Sequence, residues 1–165
     1  MILQQDIEII EVFKRCSPWS GTFERKREKF LTLLNNLCMV RSIEIPKLLI
    51  HRDHKRFKWA RANDGDCWFN QKKIRIRRFS VLTLLHEFKH WNDMKGGKSF
   101  NGPCKKQREW EAVYYSTYLF YRVWPERLKH LSDLMTMRVE NIKLSESQKE
   151  NASLVALIDL IVKGK

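Results

Sequence analysis

The stretch Ser80-Val81-Leu82-Thr83-Leu84-Leu85-His86-Glu87-Phe88-Lys89-His90-Trp91-Asn92-Asp93-Met94-Lys95 carries the two features on which the reading of this chain turns, a helix and a ligand pair. Ser80 is a suitable N-cap, Leu82, Leu84, Leu85, Phe88 and Trp91 supply apolar surface, and Gly96-Gly97 provides a C-terminal stop. At four-residue spacing the imidazoles of His86 and His90 leave one helix face and can grip a single metal ion. Glu87 lies to one side of them, where a general base toward an activated water has to stand. Leu84, Phe88 and Trp91 fall opposite the histidines, which predicts a helix buried on several sides with its polar strip along a cleft. Thr83 and Asp93 share that strip, and Asp93 is a candidate acceptor for a ligand imidazole.

Two histidines rarely hold a catalytic zinc, since three protein ligands and an open position are usual. The third is sought in Gln107-Arg108-Glu109-Trp110-Glu111-Ala112-Val113-Tyr114-Tyr115-Ser116, which opens an apolar-periodic run through Thr117, Tyr118, Tyr121 and Trp124 that Pro125 closes. This too reads as a helix. Glu109 and Glu111 flank its apolar stripe on opposite sides, and helical geometry alone does not choose between them.

With those residues in place the chain resembles the gluzincin metallopeptidases, in which a helical His-Glu-x-x-His is followed by a helix that gives a glutamate ligand, often directly before an alanine. Glu111-Ala112 is similar to that step, at 111 − 90 = 21 positions from His90. The resemblance therefore implies a Zn2+ held by His86, His90 and Glu111, with Glu87 as the general base of peptide-bond hydrolysis. The run from Glu109 to Ser116 also looks like the glutamate helix of small one-domain relatives, the minigluzincins and the ImmA/IrrE-type peptidases. Gluzincins commonly use a further side chain to stabilise the oxyanion of the intermediate, and Tyr114, Tyr115, Tyr118, Tyr121 and His130 are the candidates. The same resemblance assigns a substrate-pairing edge strand to the Asp66-to-Asn70 region, including Cys67, Trp68 and Phe69, where free backbone groups would bind an extended protein or peptide substrate.

A second resemblance concerns the entry to the motif. Gly65 to Ile76 followed by Val81 to Glu87 looks like the strand-then-helix segment of SprT-like proteases, which act on proteins bound or crosslinked to DNA. That family takes its third ligand from a His-Gly context soon after the motif, whereas Ser99-Phe100-Asn101-Gly102-Pro103 here has no histidine. Together the resemblances cover roughly residues 47 to 125, and only the zinc-site residues are specific.

A chain of 165 residues suffices for one domain with a proper core, and its expected class is α+β, a zincin-like unit of 1–165. Residues 1–45 form its N-terminal helical part, 46–124 its catalytic core and 125–165 its C-terminal helices. Ile7, Ile10 and Phe13 predict a helix from about Leu3 to Cys16. A second is expected from about Phe23 to Leu37, after the Ser17-to-Gly21 break. Leu48 to Ile50, Arg56 to Ala60, Cys67 to Phe69 and Lys73 to Ile76 read as strands of a small, mostly antiparallel sheet. Pro125 starts a helix to about Ile142, and Ser145 to Gln148 reads as a capping box before an amphipathic helix with Leu154, Val155, Leu157, Ile158 and Ile161.

The formal net charge is +13, and Lys55, Arg56, Lys58, Arg61, Lys72, Lys73, Arg75 and Arg77 crowd one interval. Such a field attracts polyanions, so DNA or RNA contact is a candidate partnership, and a basic nucleic-acid-binding protein without protease activity is the rival class. His51 and His54 lie in this basic stretch and read as surface residues. No apolar run approaches a membrane span and no signal-peptide pattern opens the chain, so a cytoplasmic protein is expected. Cys16, Cys38, Cys67 and Cys104 form no Cys-x-x-Cys pair, which excludes a thiolate knuckle or dithiol redox motif and suggests reduced thiols.

Overall fold

Apolar periodicity builds the first two elements where the sequence puts them. In a computed structural model, which describes residues 2–51, 65–102 and 104–128, helix α1 spans Gln4–Arg15 and α2 spans Phe23–Val40. Thr22 caps α2 by accepting from the Arg25 N–H at 3.3 Å. Ile7, Ile10 and Phe13 of α1 are buried, as are Phe30, Leu33, Leu34 and Leu37 of α2, and the rings of Phe13 and Phe30 meet edge to face. The second helix runs three residues beyond its expected end, because Cys38 is also part of the buried face.

A buried ion pair ties the ends of these helices together. Asp6 in the first turn of α1 accepts from the Leu3 N–H, and both its oxygens take the Arg41 guanidinium at 2.5 Å. The Arg41 guanidinium also lies over the rings of Phe88 and Tyr115. The pair is therefore a hub that reaches two further elements.

The sheet has three strands, β1 (Lys47–Ile50), β2 (Gly65–Trp68) and β3 (Lys73–Ile76), in the order β1-β3-β2. Strand β3 pairs antiparallel with β2 and parallel with β1, so the sheet is mixed where a mostly antiparallel one was expected. The reason lies in which strand takes the centre. Ile74 and Ile76 of β3 are fully buried while β2 has no buried side chain, so the last strand inserts between the first two and runs parallel to β1. Along Lys73 to Ile76 the isoleucines face inward and Lys73 and Arg75 outward, the alternation of a strand with one buried face. Both cations lie 4.5 Å from the centroid of the Trp68 ring, and Arg75 pairs across the strands with Asp66. Phe69 leaves the strand for a single 3-10 turn, Phe69–Gln71, and Lys72 closes the hairpin with φ +49°.

Helix α3 (Val81–Lys95) follows β3, and α4 (Cys104–Val123) follows a short loop. Ser80 caps α3 as expected, accepting from the Thr83 N–H, and Gly97 at φ +76° ends it. Trp91 donates from its indole nitrogen to the Glu44 carbonyl at 2.8 Å, fixing α3 to the turn before β1. The described residues fall in two compact units whose boundary lies between Ser116 and Thr117, inside α4. In the second, Leu119, Phe120, Val123, Trp124 and Leu128 are buried, and residues 125–128 are helical from Pro125 as predicted. The expected strand Arg56 to Ala60, His54, His130 and the helices beyond residue 128 lie outside the described residues, as do Lys55, Arg56, Lys58 and Arg61. No described helix is long and apolar enough to cross a membrane.

Asp6→Ala would leave the Arg41 charge buried without its counterion and should cost about 3–5 kcal/mol in chemical denaturation. A loss of only about 1 kcal/mol, the size of an exposed pair, would show that the two helices do not depend on it.

Candidate metal centre

Because α3 is buried on nearly all sides, its polar residues are drawn in with its apolar ones. Glu87, Lys89, His90 and Asp93 are each at most 6 % exposed, beside Leu84, Leu85, Phe88 and Trp91. Each buried polar group then needs a partner or a function. The histidines find theirs on α4. His86 Nε2 lies 3.0 Å from His90 Nε2 and 3.2 Å from Glu109 Oε2, and His90 Nε2 lies 3.4 Å from Glu109 Oε1.

Three donor atoms from two helices thus converge, and among the described residues His86, His90 and Glu109 form the group whose ligand atoms lie close enough to share an ion. Two atoms bound at about 2.0–2.1 Å to a tetrahedral zinc stand about 3.3–3.4 Å apart. The observed separations and the two-nitrogen, one-carboxylate donor set both fit such an ion. Hydrogen bonds from the histidines hold the Glu109 carboxyl far below the usual carboxylate range, so it is an anion ready to ligate. Burial lowers the His90 pKa, which favours the neutral imidazole that binds metals.

The carboxylate that completes the cluster belongs to Glu109 and not to Glu111. On a helix these residues stand about 200° apart, and α4 turns Glu109 toward the histidines. Glu111 faces a separate set of cations. It accepts from Arg108 at 2.6 Å and Gln107 at 3.0 Å and lies 3.9 Å from Lys89 and 4.0 Å from Lys98. The Glu-Ala step that singled out Glu111 therefore sits on the wrong flank of α4. Asp93 likewise accepts from lysines, pairing with Lys89 and, at 3.2 Å, with Lys98, and His90 Nδ1 is buried without a hydrogen-bond partner. The rings of His90 and Phe100 meet edge to face with centroids 4.6 Å apart, a contact that no periodicity announces.

Glu87 is adjacent to the cluster and differs from its neighbours in having no hydrogen bond or ion pair to a protein group among the described residues. Burial pushes its carboxyl up to about 7, with His86 opposing and Glu109 and Asp66 adding to the rise. Strand β2 passes directly over it. A Cβ built on Gly65 would stand 2.6 Å from Thr83 Cγ2, 3.0 Å from Glu87 Oε1 and 3.1 Å from Glu87 Cγ. Glycine is required at that point because any side chain would meet α3. Strand β2 is also an edge of the described sheet, and Asp66, Cys67 and Trp68 line it beside Glu87, while Phe69 stands in the turn with its ring on Trp91.

The two candidate oxyanion stabilisers in the first compact unit, Tyr114 and Tyr115, are not among the converging donors. Tyr115 is buried on the opposite side of α4, its ring by Phe88 and its hydroxyl 3.5 Å from Arg41, so it belongs to the core. Tyr114 is exposed, and the Tyr118 hydroxyl accepts from Arg122 at 2.9 Å in the second unit. His51 follows β1, its N–H donating to the Ile76 carbonyl, and is not among the converging donors.

Gly65→Ala should destabilise the fold by about 1–3 kcal/mol through overpacking. Thr83→Ser in the same chain removes the methyl in the closest clash and should restore part of the loss. Melting curves of the two single variants and the double measure this, and an equal loss with and without Thr83→Ser would show that β2 does not cross α3 at Gly65. No known protein family, curated protein or solved structure matches this chain, so what the cluster does rests on its own geometry.

Proposed function

We propose that the chain is a zinc-dependent metallopeptidase with a zincin-like core. The observation that carries this reading is the convergence of His86, His90 and Glu109 within 3.0–3.4 Å of one another, beside the buried carboxyl of Glu87, which is unpaired among the described residues. A glutamate donor from the helix after the motif supports the gluzincin arrangement over the SprT-like one, whose third ligand is a histidine. His86, His90 and Glu109 would hold the ion, and zinc bound there supplies Lewis acidity toward a water and a substrate carbonyl.

The remaining steps belong to the protein. Glu87 takes a proton from the attacking water and returns it to the leaving amine, a role suited to a carboxyl whose pKa burial places near neutrality. The Gly65–Trp68 edge pairs with an extended peptide, because its outer backbone groups can accept a further strand. The bare Gly65 backbone lets β2 itself lie against Glu87, so a peptide paired to that strand would run close to the carboxyl. Four free cysteines suit the reducing interior of a cell, where we place the protein.

Peptide is favoured over nucleic acid as the substrate on the described surface. Lys72 pairs with Glu44, Arg75 pairs with Asp66, and Lys73 and Arg75 lie over Trp68, so these cations are engaged locally.

Purified chain reconstituted with zinc and dialysed should retain one ion, and Glu109→Gln should lose it. Glu87→Gln should keep the ion while peptide hydrolysis falls by about 100-fold or more. Metal analysis together with a peptide-cleavage assay decides the matter: a metal-free wild type, or a Glu87→Gln variant with undiminished activity, would remove this function.

A further inference from the structure

Three sets of side chains join α3 to α4 in the first compact unit. Phe88 meets Tyr115, His86 and His90 meet Glu109, and Lys89 meets Glu111. The third set has no part in the chemistry described above, yet it contains a lysine whose side chain is 5 % exposed in the middle of the histidine motif. A buried ammonium needs compensating charge, and Lys89 finds it in Asp93 on its own helix and Glu111 on the next. Glu111 is in turn gripped from its own helix by Arg108 and Gln107, and Lys98 reaches both acids across the loop. The carboxylate of Glu111 is thereby fixed by groups on both helices.

We propose that Glu111 is a positioning residue, which sets the rotation of α4 about its axis so that Glu109 meets His86 and His90; this rests on the zinc reading given above. Because Glu109 and Glu111 stand about 200° apart, they straddle α3 from opposite flanks of α4. A turn of α4 that releases Glu111 from Lys89 must move Glu109 relative to the histidines. Glu109 itself is half-exposed and its long side chain has several rotamers, so its donor geometry needs a stiff support. Lys89 holds the same relation from α3, being the neighbour of His90 and the residue that Glu111 faces. The motif thus carries two clamps on one helix, donors to one flank and a cation to the other.

The test is the zinc affinity of the full chain, measured by competition with a chelator, for wild type, Glu109→Gln, Glu111→Gln, Lys89→Gln and the Lys89→Gln/Glu111→Gln double variant. Glu111→Gln should weaken zinc binding about tenfold, as loss of a support to a ligand does, while Glu109→Gln loses far more. The double variant should be no weaker than the worse single one, because both changes break one contact. Melting of the zinc-free Glu111→Gln chain should follow that of zinc-free wild type, which separates positioning from a general loss of structure. Should Lys89→Gln fail to fold, Lys98→Gln replaces it in the same comparison. Unchanged affinity in Glu111→Gln, additive losses in the double, or a zinc-free melting temperature that falls in step with affinity would each overturn the proposal. A loss in Glu111→Gln as complete as in Glu109→Gln would make Glu111 a ligand instead. A wild type that binds no zinc sinks the metallopeptidase reading and this inference together, whereas the other failures leave that reading standing.

Discussion

Burying a helix that carries charged side chains is the constraint from which the rest of this fold follows. Helix α3 takes Glu87, Lys89, His90 and Asp93 out of water along with Phe88 and Trp91. An unsatisfied polar group in such a place costs about 1–3 kcal/mol, and an uncompensated charge more. The surrounding elements meet these demands one by one. Lys98 and Glu111 answer Asp93 and Lys89, Glu109 answers the histidines, and the Glu44 carbonyl answers the Trp91 indole. Glu87 alone is left without a hydrogen bond among the described residues, and it is the residue whose proposed chemistry needs a free carboxyl.

The apolar side of the same helix is held from behind by Asp6 and Arg41. Removing either partner would strand a charge, so the pair fixes where α1 and α2 end against α3. The Arg41 guanidinium over Phe88, together with the Tyr115 hydroxyl nearby, extends that support to α4. That support matters to the cluster because donors that are to share one ion must be held within a fraction of an ångström. The N-terminal helices therefore serve the site without touching it.

Much of this was legible in the residues and some was not, for reasons that differ. The spans of α1 and α3 and the caps of α3 were written locally, in apolar spacing and in Ser80 and Gly97. So was the pairing of His86 with His90, because four residues on a helix always share a face. Burial of Glu87 at the strand edge follows from Gly65, a residue whose meaning emerges only when β2 is laid on α3. Which glutamate meets the histidines was hidden, since that depends on the rotation of one helix against another. Local pattern carries no such information, and the alanine after Glu111 pointed to the wrong flank. The mixed sheet was missed for a like reason: strand order depends on which strand has the most to bury. Tyr115, a candidate for the site through the gluzincin resemblance, is core because it lies on the flank that meets Arg41 and Phe88.

Two carboxylates close to one buried cluster pose an electrostatic problem of their own. Glu109 is held strongly anionic by the histidines, and its charge helps raise Glu87. Left to themselves the two acids oppose each other's ionisation, as like charges in a poorly solvated site do. A divalent cation among the donors would reverse the sign of that coupling, balancing both negative charges at once. The lysines matter here by where they do not point. Lys89 and Lys98 are taken up by Asp93 and Glu111 on the other flank, so among the described residues no cation pairs with Glu87, and Glu109 meets the two imidazoles. Sorting the acids between flanks, one to the lysines and one to the histidines, thus keeps the donor set negative and available for a metal.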